Sequence, residues 1–141
     1  MSAYFTHSAG ETTALGRQLA AQLKPGTIVL LRGDLGAGKT TLVKGIAEGF
    51  QAARAEDVTS PTFTLIHEYR GPEVALYHID LYRIDTQREL DTLALDDLMT
   101  AGSILLIEWG EKFDRFARER DAEIAIEHKG GDERSVTFAA R

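Results

Sequence analysis

TIVLLRGDLGAGKTTL, residues 27–42, is the stretch of sequence that decides the fold of this chain. Its centre, Gly33 to Thr40, fits the pattern Gly-x-x-x-x-Gly-Lys-Thr, which is the phosphate-binding P-loop. The continuous apolar run from Thr27 to Leu31 predicts a buried β-strand before the loop. Residues 41–50 follow with apolar side chains at helical spacing. Strand, glycine loop and helix occur in the order that a P-loop requires, so we expect an α/β domain built around this unit.

The residue types in this loop suit a bound polyphosphate. Glycine backbones adopt conformations that let successive N–H groups converge on phosphate oxygens, and the new helix adds the positive end of its dipole. We expect Lys39 to reach the β- and γ-phosphates and the Thr40 hydroxyl to bind a magnesium ion. A glycine-rich turn without a ligand is the alternative, which the correct flanking strand and helix disfavour.

Length, cysteine content and charge restrict the class of protein. A chain of 141 residues suits a single P-loop NTPase-like domain, 1–141, with one core. It contains no cysteine, which excludes a disulfide framework and a thiolate metal site. The formal charge of −6 argues against strong direct binding of nucleic acid, because phosphate contacts need a basic face. No apolar run is long enough to span a bilayer, so we expect a cytoplasmic protein without membrane association.

The rest of the sequence predicts a mixed central sheet flanked by helices, with a C-terminal β-hairpin. Two extended segments joined only by Gly71-Pro72-Glu73 are expected to be antiparallel neighbours, because parallel strands need a long crossover. Apolar spacing and turn residues predict an edge strand at 1–6, helices at 11–24 and 87–99, an irregular connection at 51–61, extended segments at 62–70 and 74–83, a central strand at 103–108 and hairpin strands at 122–128 and 134–139.

Two acidic residues end predicted strands near the P-loop. Asp80 closes the segment that begins at Val74, and Glu108 closes the apolar run Ile104–Ile107. The carboxyl ends of strands form the ligand-binding edge of an α/β sheet. A P-loop site needs an acid beside the magnesium ion and a group that orients water. Either acid suits either task, so both are candidate catalytic and metal-binding residues. The alternative is that each acid faces solvent at a strand end.

Three further features allow more than one interpretation. Trp109 either packs near the nucleotide, presents a docking surface or is a core-edge aromatic residue. The segment 59–63 carries three hydroxyl side chains around Pro61 and is either a loop that senses the γ-phosphate or an ordinary turn. His78 alternates with apolar neighbours in a predicted strand, and we interpret it as structural because the four histidines lack metal-binding spacing.

Four blocks of sequence together resemble the TsaE family (formerly YjeE), the bacterial ATPases of the tRNA threonylcarbamoyladenosine pathway. They occur in the family's order and spacing, and the resemblance extends over nearly the whole chain. The blocks are GDLGAGKTT at 33–41, SPTFTL at 60–65, YHIDLYR at 77–83 and IEW at 107–109.

The resemblance implies a small P-loop ATPase that binds ATP or ADP with Mg²⁺. Such proteins associate with the transferase TsaD and its paralogue TsaB, and they support multi-turnover modification of adenosine 37 in tRNAs that read ANN codons. Contact with tRNA would therefore be indirect. By matching position, Lys39, Asp80 and Glu108 would be catalytic, and Thr40, Asp80 and Glu108 would hold the metal. The nucleotide would be bound by Thr12, Gly33, Gly36, Ala37, Gly38, Lys39, Thr40, Thr41, Trp109 and Arg134.

Two other functions remain open at this point. A small-molecule kinase would use Asp80 as its base and the arginine-rich segment 115–120 as a lid. A non-hydrolytic nucleotide switch would change only its docking state with ATP. The sequence offers no strong candidate for an arginine that acts on the transition state in cis, so we expect slow hydrolysis until a partner supplies charge or geometry. Arg83 is the one cis candidate worth testing. A guanine-specific GTPase is disfavoured, because the chain contains no asparagine and therefore no Asn-Lys-x-Asp motif.

Overall fold

The computed structural model describes residues 1–34 and 37–141, and over those residues the chain forms a mixed sheet with helices on both faces. This part of the chain contributes seven strands in the order β1-β7-β6-β2-β5-β4-β3. The strands are β1 (Ser2–Thr6), β2 (Thr27–Arg32), β3 (Ile66–Arg70), β4 (Ala75–Asp80), β5 (Ser103–Glu108), β6 (Ala122–Gly130) and β7 (Glu133–Ala140). The helices are α1 (Ala9–Ala20), α2 (Lys39–Gly49), α3 (Gln87–Thr92) and α4 (Asp114–Glu119).

The centre of the sheet is parallel and covered on both faces. β2 pairs in parallel with β5 on one side and with β6 on the other, and β4 continues the parallel set beside β5. Every residue of β5 is buried, as its continuous apolar sequence predicts. The carboxyl ends of these strands therefore lie at the same edge of the sheet, where Asp80 is the register partner of Glu108.

Helices α1 and α2 pack against each other on one face of the sheet. Leu19 of α1 and Ile46 of α2 are buried in the same core cluster. The two helices approach so closely at Gly45 that a Cβ there would overlap the carbonyl oxygen of Thr13. This close approach holds the first residues of α2 in place at the end of β2.

Helices α3 and α4 cover the other face of the sheet over β2, β4 and β5. Leu90 of α3 and Phe116 of α4 belong to the same buried cluster as Leu30 and Ile107 of the sheet. Each helix is short, and none in the described part of the chain is long and apolar enough to cross a membrane.

The predicted α/β architecture is confirmed. β1 is an edge strand, β3 and β4 are antiparallel neighbours, β5 has the predicted bounds, and β6 and β7 form the closing hairpin. The hairpin turns at Gly130 and Gly131, whose φ angles of 114° and 54° lie in the left-handed region that glycine adopts without strain.

The first predicted helix and the P-loop helix both begin earlier than expected. The helix predicted over 11–24 is α1, because the Ser8 hydroxyl accepts a hydrogen bond from the Glu11 N–H and caps a helix that begins at Ala9. It ends at Ala20, before the expected stop at Pro25. α2 begins at Lys39, whereas apolar spacing becomes visible only two residues later.

The helix predicted over 87–99 is wrong in length. α3 ends at Thr92, and Ala94 adopts a φ of 50° in the left-handed region, through which an α-helix cannot continue. A 3₁₀ helix, Leu95–Leu98, follows and buries Leu95 in the core.

The two predicted extended segments are longer than the strands they contain. β3 begins only at Ile66, because Leu65 has a φ of 71° and its N–H donates to the Pro61 carbonyl in a preceding turn. β4 ends at Asp80, and the chain then turns through Tyr82 and Arg83. Both turns lie at the edge of the sheet that carries the P-loop.

Candidate active site

The P-loop leads from β2 into α2 as predicted. Gly38 precedes the helix with a φ of 105°, a left-handed conformation that glycine tolerates, and Lys39 is the first helical residue. Thr40 and Thr41 occupy the first turn, whose backbone N–H groups have no partners within the helix. The predicted phosphate contact of Gly36 lies outside the described residues.

The C-terminal hairpin holds the P-loop against the sheet. Arg134 Nε donates a 2.7 Å hydrogen bond to the Ala37 carbonyl oxygen. A Cβ on Gly33 would lie 2.7 Å from the Ile126 carbonyl oxygen, and one on Gly38 would lie 3.4 Å from Arg134 Nε. Both glycines therefore let the hairpin approach the loop closely, and Arg134 contacts its backbone.

Lys39 is buried at the centre of the site. Its ammonium donates a hydrogen bond to the Gly33 carbonyl oxygen and lies 3.2 Å from Glu108 Oε1. The same ammonium is 5.4 Å from the centroid of the Trp109 ring. The lysine side chain therefore connects the P-loop backbone with the end of β5.

Glu108 is a buried carboxylate with two charged or polar partners. It exposes only 4 % of its surface, and its Oε2 accepts a hydrogen bond from His78 Nε2. Burial raises the pKa of the Glu108 carboxyl, but the hydrogen bond and charge of His78 and the Lys39 ammonium outweigh it and hold that pKa below its ordinary value. Glu108 is therefore ionised at neutral pH and able to attract a cation or a water proton.

Asp80 lies beside Glu108 and is fixed by two hydrogen bonds. It exposes 3 % of its surface, so the alternative of a solvent-facing acid is wrong for both residues. Its Oδ1 accepts a 2.9 Å hydrogen bond from the Tyr82 N–H, and its Oδ2 accepts one of 3.2 Å from the Thr62 hydroxyl. The segment 59–63 is thus attached directly to one of the two candidate acids.

Trp109 lies within the site. Its ring centroid is 5.4 Å from that of Tyr82, and its indole nitrogen is buried without a protein partner in the described part of the chain. A cavity of about 180 Å³ is lined by Trp109 and Lys39 together with Gly33 and Glu111. Because the indole N–H is buried, the interpretation of Trp109 as a core-edge ring with its N–H in solvent is wrong.

Thr12 lies away from the two acids. Its hydroxyl is buried and 2.7 Å from the Thr6 hydroxyl, and it also donates to the Ser8 carbonyl oxygen. Thr6 is in turn the register partner of Arg134 on β7. Thr12 therefore lies on the side of the P-loop next to the β6–β7 hairpin. The predicted contact of Thr12 with adenine stays a prediction.

His78 is the residue of the site that sequence reasoning missed. It is completely buried, and it contacts the same carboxylate as Lys39. One signal for it was available, because His78 and Asp80 are two positions apart in a strand and so lie on one face of the sheet. The identity of its partner on the neighbouring strand was not available from the local pattern.

Comparisons with known proteins agree with this architecture. The family model described as "Threonylcarbamoyl adenosine biosynthesis protein TsaE" matches residues 6–136. The chain is 42% identical over 130 residues to the tRNA threonylcarbamoyladenosine biosynthesis protein TsaE of Bacillus subtilis, covering 92% of this chain and 80% of that protein. It is 41% identical over 115 residues to the TsaE protein of a Nostoc species, with coverage of 79% and 70%.

A solved structure has the same fold. The crystal structure of Bacillus subtilis YdiB superposes with a TM-score of 0.75 at 36% sequence identity, covering 99% of this chain and 84% of that one.

Proposed function

We propose that this chain, which belongs to the TsaE family, is an ATPase that hydrolyses Mg-ATP in support of tRNA threonylcarbamoyladenosine biosynthesis. One observation carries the proposal: the P-loop lysine, Lys39, lies 3.2 Å from the buried and ionised Glu108. Burying two charges is costly, so a turn with only a structural role would not favour such a pair. A phosphoryl-transfer site needs both groups, because the lysine stabilises negative charge on the phosphate and the carboxylate attracts a cation or a water proton.

The start of α2 is a suitable site for the triphosphate of ATP. Unpaired N–H groups and the positive end of the helix dipole favour an anion there. The phosphates would compete with Glu108 for the Lys39 ammonium, which already lies at this end of the helix. Nucleotide binding is therefore expected to separate the two charged side chains.

Thr40 and one of the two acids would suffice to hold a magnesium ion beside a bound nucleotide. The described residues contain no cluster of three or more histidine or acidic side chains that could hold a metal. Mg²⁺ commonly needs only one or two protein oxygens when phosphates and water complete its shell. We assign Thr40 and Glu108 to the metal, because β5 is the strand next to β2. When bound, Mg²⁺ neutralises charge that develops on the phosphate oxygens.

Asp80 is the residue that we expect to orient the attacking water. Its carboxylate is fixed by Thr62 and Tyr82 one strand further from the P-loop than Glu108. Water attacks the γ-phosphorus as the bond to the bridging oxygen breaks, a proton of the water passes to the phosphate oxygens or to solvent, and ADP and inorganic phosphate are the products. Orientation by a fixed carboxylate lowers the barrier without a covalent intermediate.

Two isosteric variants test the assignment of Glu108 to the metal and of Asp80 to the attacking water. Asp80→Asn should keep its affinity for Mg-ADP and lose turnover, because the amide oxygen can still accept from the Tyr82 N–H while its NH2 group donates to the Thr62 hydroxyl, but an amide orients water poorly. Glu108→Gln should instead raise the Mg²⁺ concentration needed for tight ADP binding. Titrations of ADP at several Mg²⁺ concentrations, with turnover measured in parallel, separate the two roles. The reverse pattern would exchange the assignments.

Partner proteins are part of the proposal. We infer that a TsaB–TsaD complex stimulates turnover and holds the tRNA, which suits a chain with a formal charge of −6. The Arg83 guanidinium stacks 4.5 Å from the centroid of the exposed Phe63 ring, so it is engaged with the 59–63 segment. Slow hydrolysis by the chain alone is the expected consequence. The cytoplasm, where tRNA is modified, is the proposed location.

The experiment that tests the whole proposal is ATP turnover of the pure chain with and without the TsaB–TsaD complex. We expect slow turnover alone, a clear increase with the complex, and tRNA modification that stalls after about one round when the chain is omitted. Full multi-turnover modification without the chain would remove the family role. A phosphorylated small acceptor would indicate a kinase, and full modification by a variant that binds but cannot hydrolyse ATP would indicate a switch.

A further inference from the structure

His78 is a completely buried histidine on β4 that contacts Glu108 and has no task in the steps described so far. We propose that His78 is a positioning residue, which holds the Glu108 carboxylate in place when the nucleotide draws Lys39 away from it. The inference rests on the proposed function, because it gives His78 a task in the binding of Mg-ATP.

Glu108 divides its two carboxylate oxygens between two side chains. Oε1 lies 3.2 Å from the Lys39 ammonium, and Oε2 accepts the hydrogen bond from His78. These are the side-chain partners of Glu108 in the described part of the chain. A phosphate that captures Lys39 leaves His78 as the remaining one. The orientation of Glu108 in the nucleotide-bound site therefore depends on His78.

The chemistry of the pair determines how the ring acts. A carboxylate accepts hydrogen bonds and cannot donate them, so His78 Nε2 carries a proton and donates it to Glu108. His78 Nδ1 has no protein partner among the residues described. The ring thus acts on the site through Nε2 alone, and it is held by β4, which lies between β3 and β5 in the sheet.

The position of His78 is surrounded by buried apolar residues, so an apolar side chain could occupy it. Leu76, two positions earlier on the same face of β4, and Leu106, the register partner of His78 on β5, are both completely buried leucines. Burying an imidazole in such a layer costs more than burying a leucine unless a hydrogen bond offsets the loss of water. The bond to Glu108 is the one that does so, which favours a role in positioning over a role in packing.

Two variants at position 78 separate the hydrogen bond from the packing. His78→Leu fills the space without a donor, and His78→Gln keeps an N–H donor at about the reach of Nε2. Loss of a residue that orients a metal ligand typically lowers metal affinity or activity by about 10–100-fold. We expect that loss in kcat for His78→Leu, with a matching rise in the Mg²⁺ concentration that supports tight ADP binding. His78→Gln should recover most of both.

Fluorescence of Trp109, the single tryptophan, provides a binding readout that does not depend on turnover. Its ring lies 5.4 Å from the Lys39 ammonium, so displacement of that ammonium by a nucleotide should change its emission. ADP affinity without Mg²⁺ should change much less than the Mg²⁺ dependence in both variants, because His78 contacts Glu108 and reaches the phosphates only through the competition of Glu108 for Lys39. His128→Leu, at an exposed hairpin residue, is the matched control and should leave every readout unchanged.

The outcomes are distinct. Unchanged kcat and Mg²⁺ dependence in His78→Leu, or a glutamine variant no better than the leucine variant, would overturn the positioning role. If His78→Leu does not fold, His78→Asn, whose shorter amide does not reach Glu108, replaces it and is combined with Glu108→Gln, and effects of the two changes that simply add would overturn the positioning role equally. A wild-type chain that binds no Mg-ADP would instead refute the proposed function itself.

Discussion

At the residue scale, the site is organised around one buried ion pair. The Lys39 ammonium and the Glu108 carboxylate lie 3.2 Å apart where little solvent reaches them. Removal of one member of such a pair leaves the other charge buried without compensation, which is strongly unfavourable. The two groups therefore stabilise each other, and under the proposed function a bound phosphate would compete with Glu108 for the lysine.

Lys39→Ala should abolish productive use of ATP. Losing one preorganised donor to a developing charge typically lowers turnover by about 10²–10³-fold, and the uncompensated Glu108 carboxylate should repel phosphate as well. Turnover and ADP affinity are measured beside those of Lys24→Ala, an exposed lysine in the turn after α1. Wild-type ADP affinity and turnover in Lys39→Ala would contradict the site assignment.

The stability of the metal-free protein should fall at acidic pH through Glu108. Its pKa in the folded chain lies below the ordinary value of 4.5, so the unfolded chain binds the proton more readily. The contribution of Glu108 is therefore fully present above the ordinary value and is lost as the pH falls through the lower, folded-state pKa. Unfolding by denaturant between pH 7 and pH 3, with EDTA, measures this trend.

The matched variant for that measurement is Glu108→Gln. Its unfolding free energy should depend less steeply on pH in the acidic range than that of the wild-type chain, since the titrating group is gone. Curves of identical slope would show that Glu108 does not have a lowered pKa.

At the element scale, two close approaches determine where the P-loop lies. α1 meets α2 at Gly45, and the β6–β7 hairpin meets the loop at Gly33 and Gly38. The Arg134 side chain adds a hydrogen bond from the hairpin to Ala37. The described part of the loop is thus supported by a helix on one side and a hairpin on the other, as the proposed phosphate binding requires.

Gly45→Ala should destabilise the fold and weaken nucleotide binding together. The added methyl group would overlap the Thr13 carbonyl oxygen and approach the Arg17 nitrogen to 2.9 Å, so α1 and α2 would have to separate. Such overpacking typically costs about 1–3 kcal/mol. Gly102→Ala is the control, because nothing lies within 4 Å of a Cβ at that position. Equal unfolding free energies in the two variants would contradict the close approach.

At the scale of the whole molecule, charge separates nucleotide binding from nucleic-acid binding. Under the proposed function, the phosphate of a nucleotide would meet one concentrated site at the start of α2, whereas the chain as a whole carries a formal charge of −6. Non-specific affinity for nucleic acid comes mainly from many basic contacts with phosphates. A tRNA substrate is therefore expected to be held by a partner.

The chain alone should bind tRNA weakly. At physiological salt we expect an apparent Kd no tighter than about 10⁻⁴–10⁻⁶ M, the ordinary non-specific range. Filter binding with the chain alone, with the TsaB–TsaD complex, and with all three proteins measures this directly. Submicromolar binding by the chain alone, weakened by added salt, would contradict the indirect role.

Much of the fold could be predicted because its signals are local. The apolar run before the P-loop predicts β2, and the short joint at 71–73 predicts the antiparallel pair β3–β4. The helix expected over 87–99 could not be predicted correctly, because Ala94 adopts a left-handed conformation although it is not a helix-breaking residue, and Leu95 after it is buried in the core. Tertiary packing overrides local propensity at that point.

The sequence by itself determined that a P-loop lies between a buried strand and a helix, and that Asp80 and Glu108 end strands at the same edge. Period and residue type are enough for this, because they set burial and direction along the chain. Only the tertiary structure decided that β4 lies beside β5, so that His78 reaches Glu108, and that the hairpin brings Arg134 to Ala37. Strand order results from packing across the whole sheet, and no local pattern encodes which side chains meet between neighbouring strands.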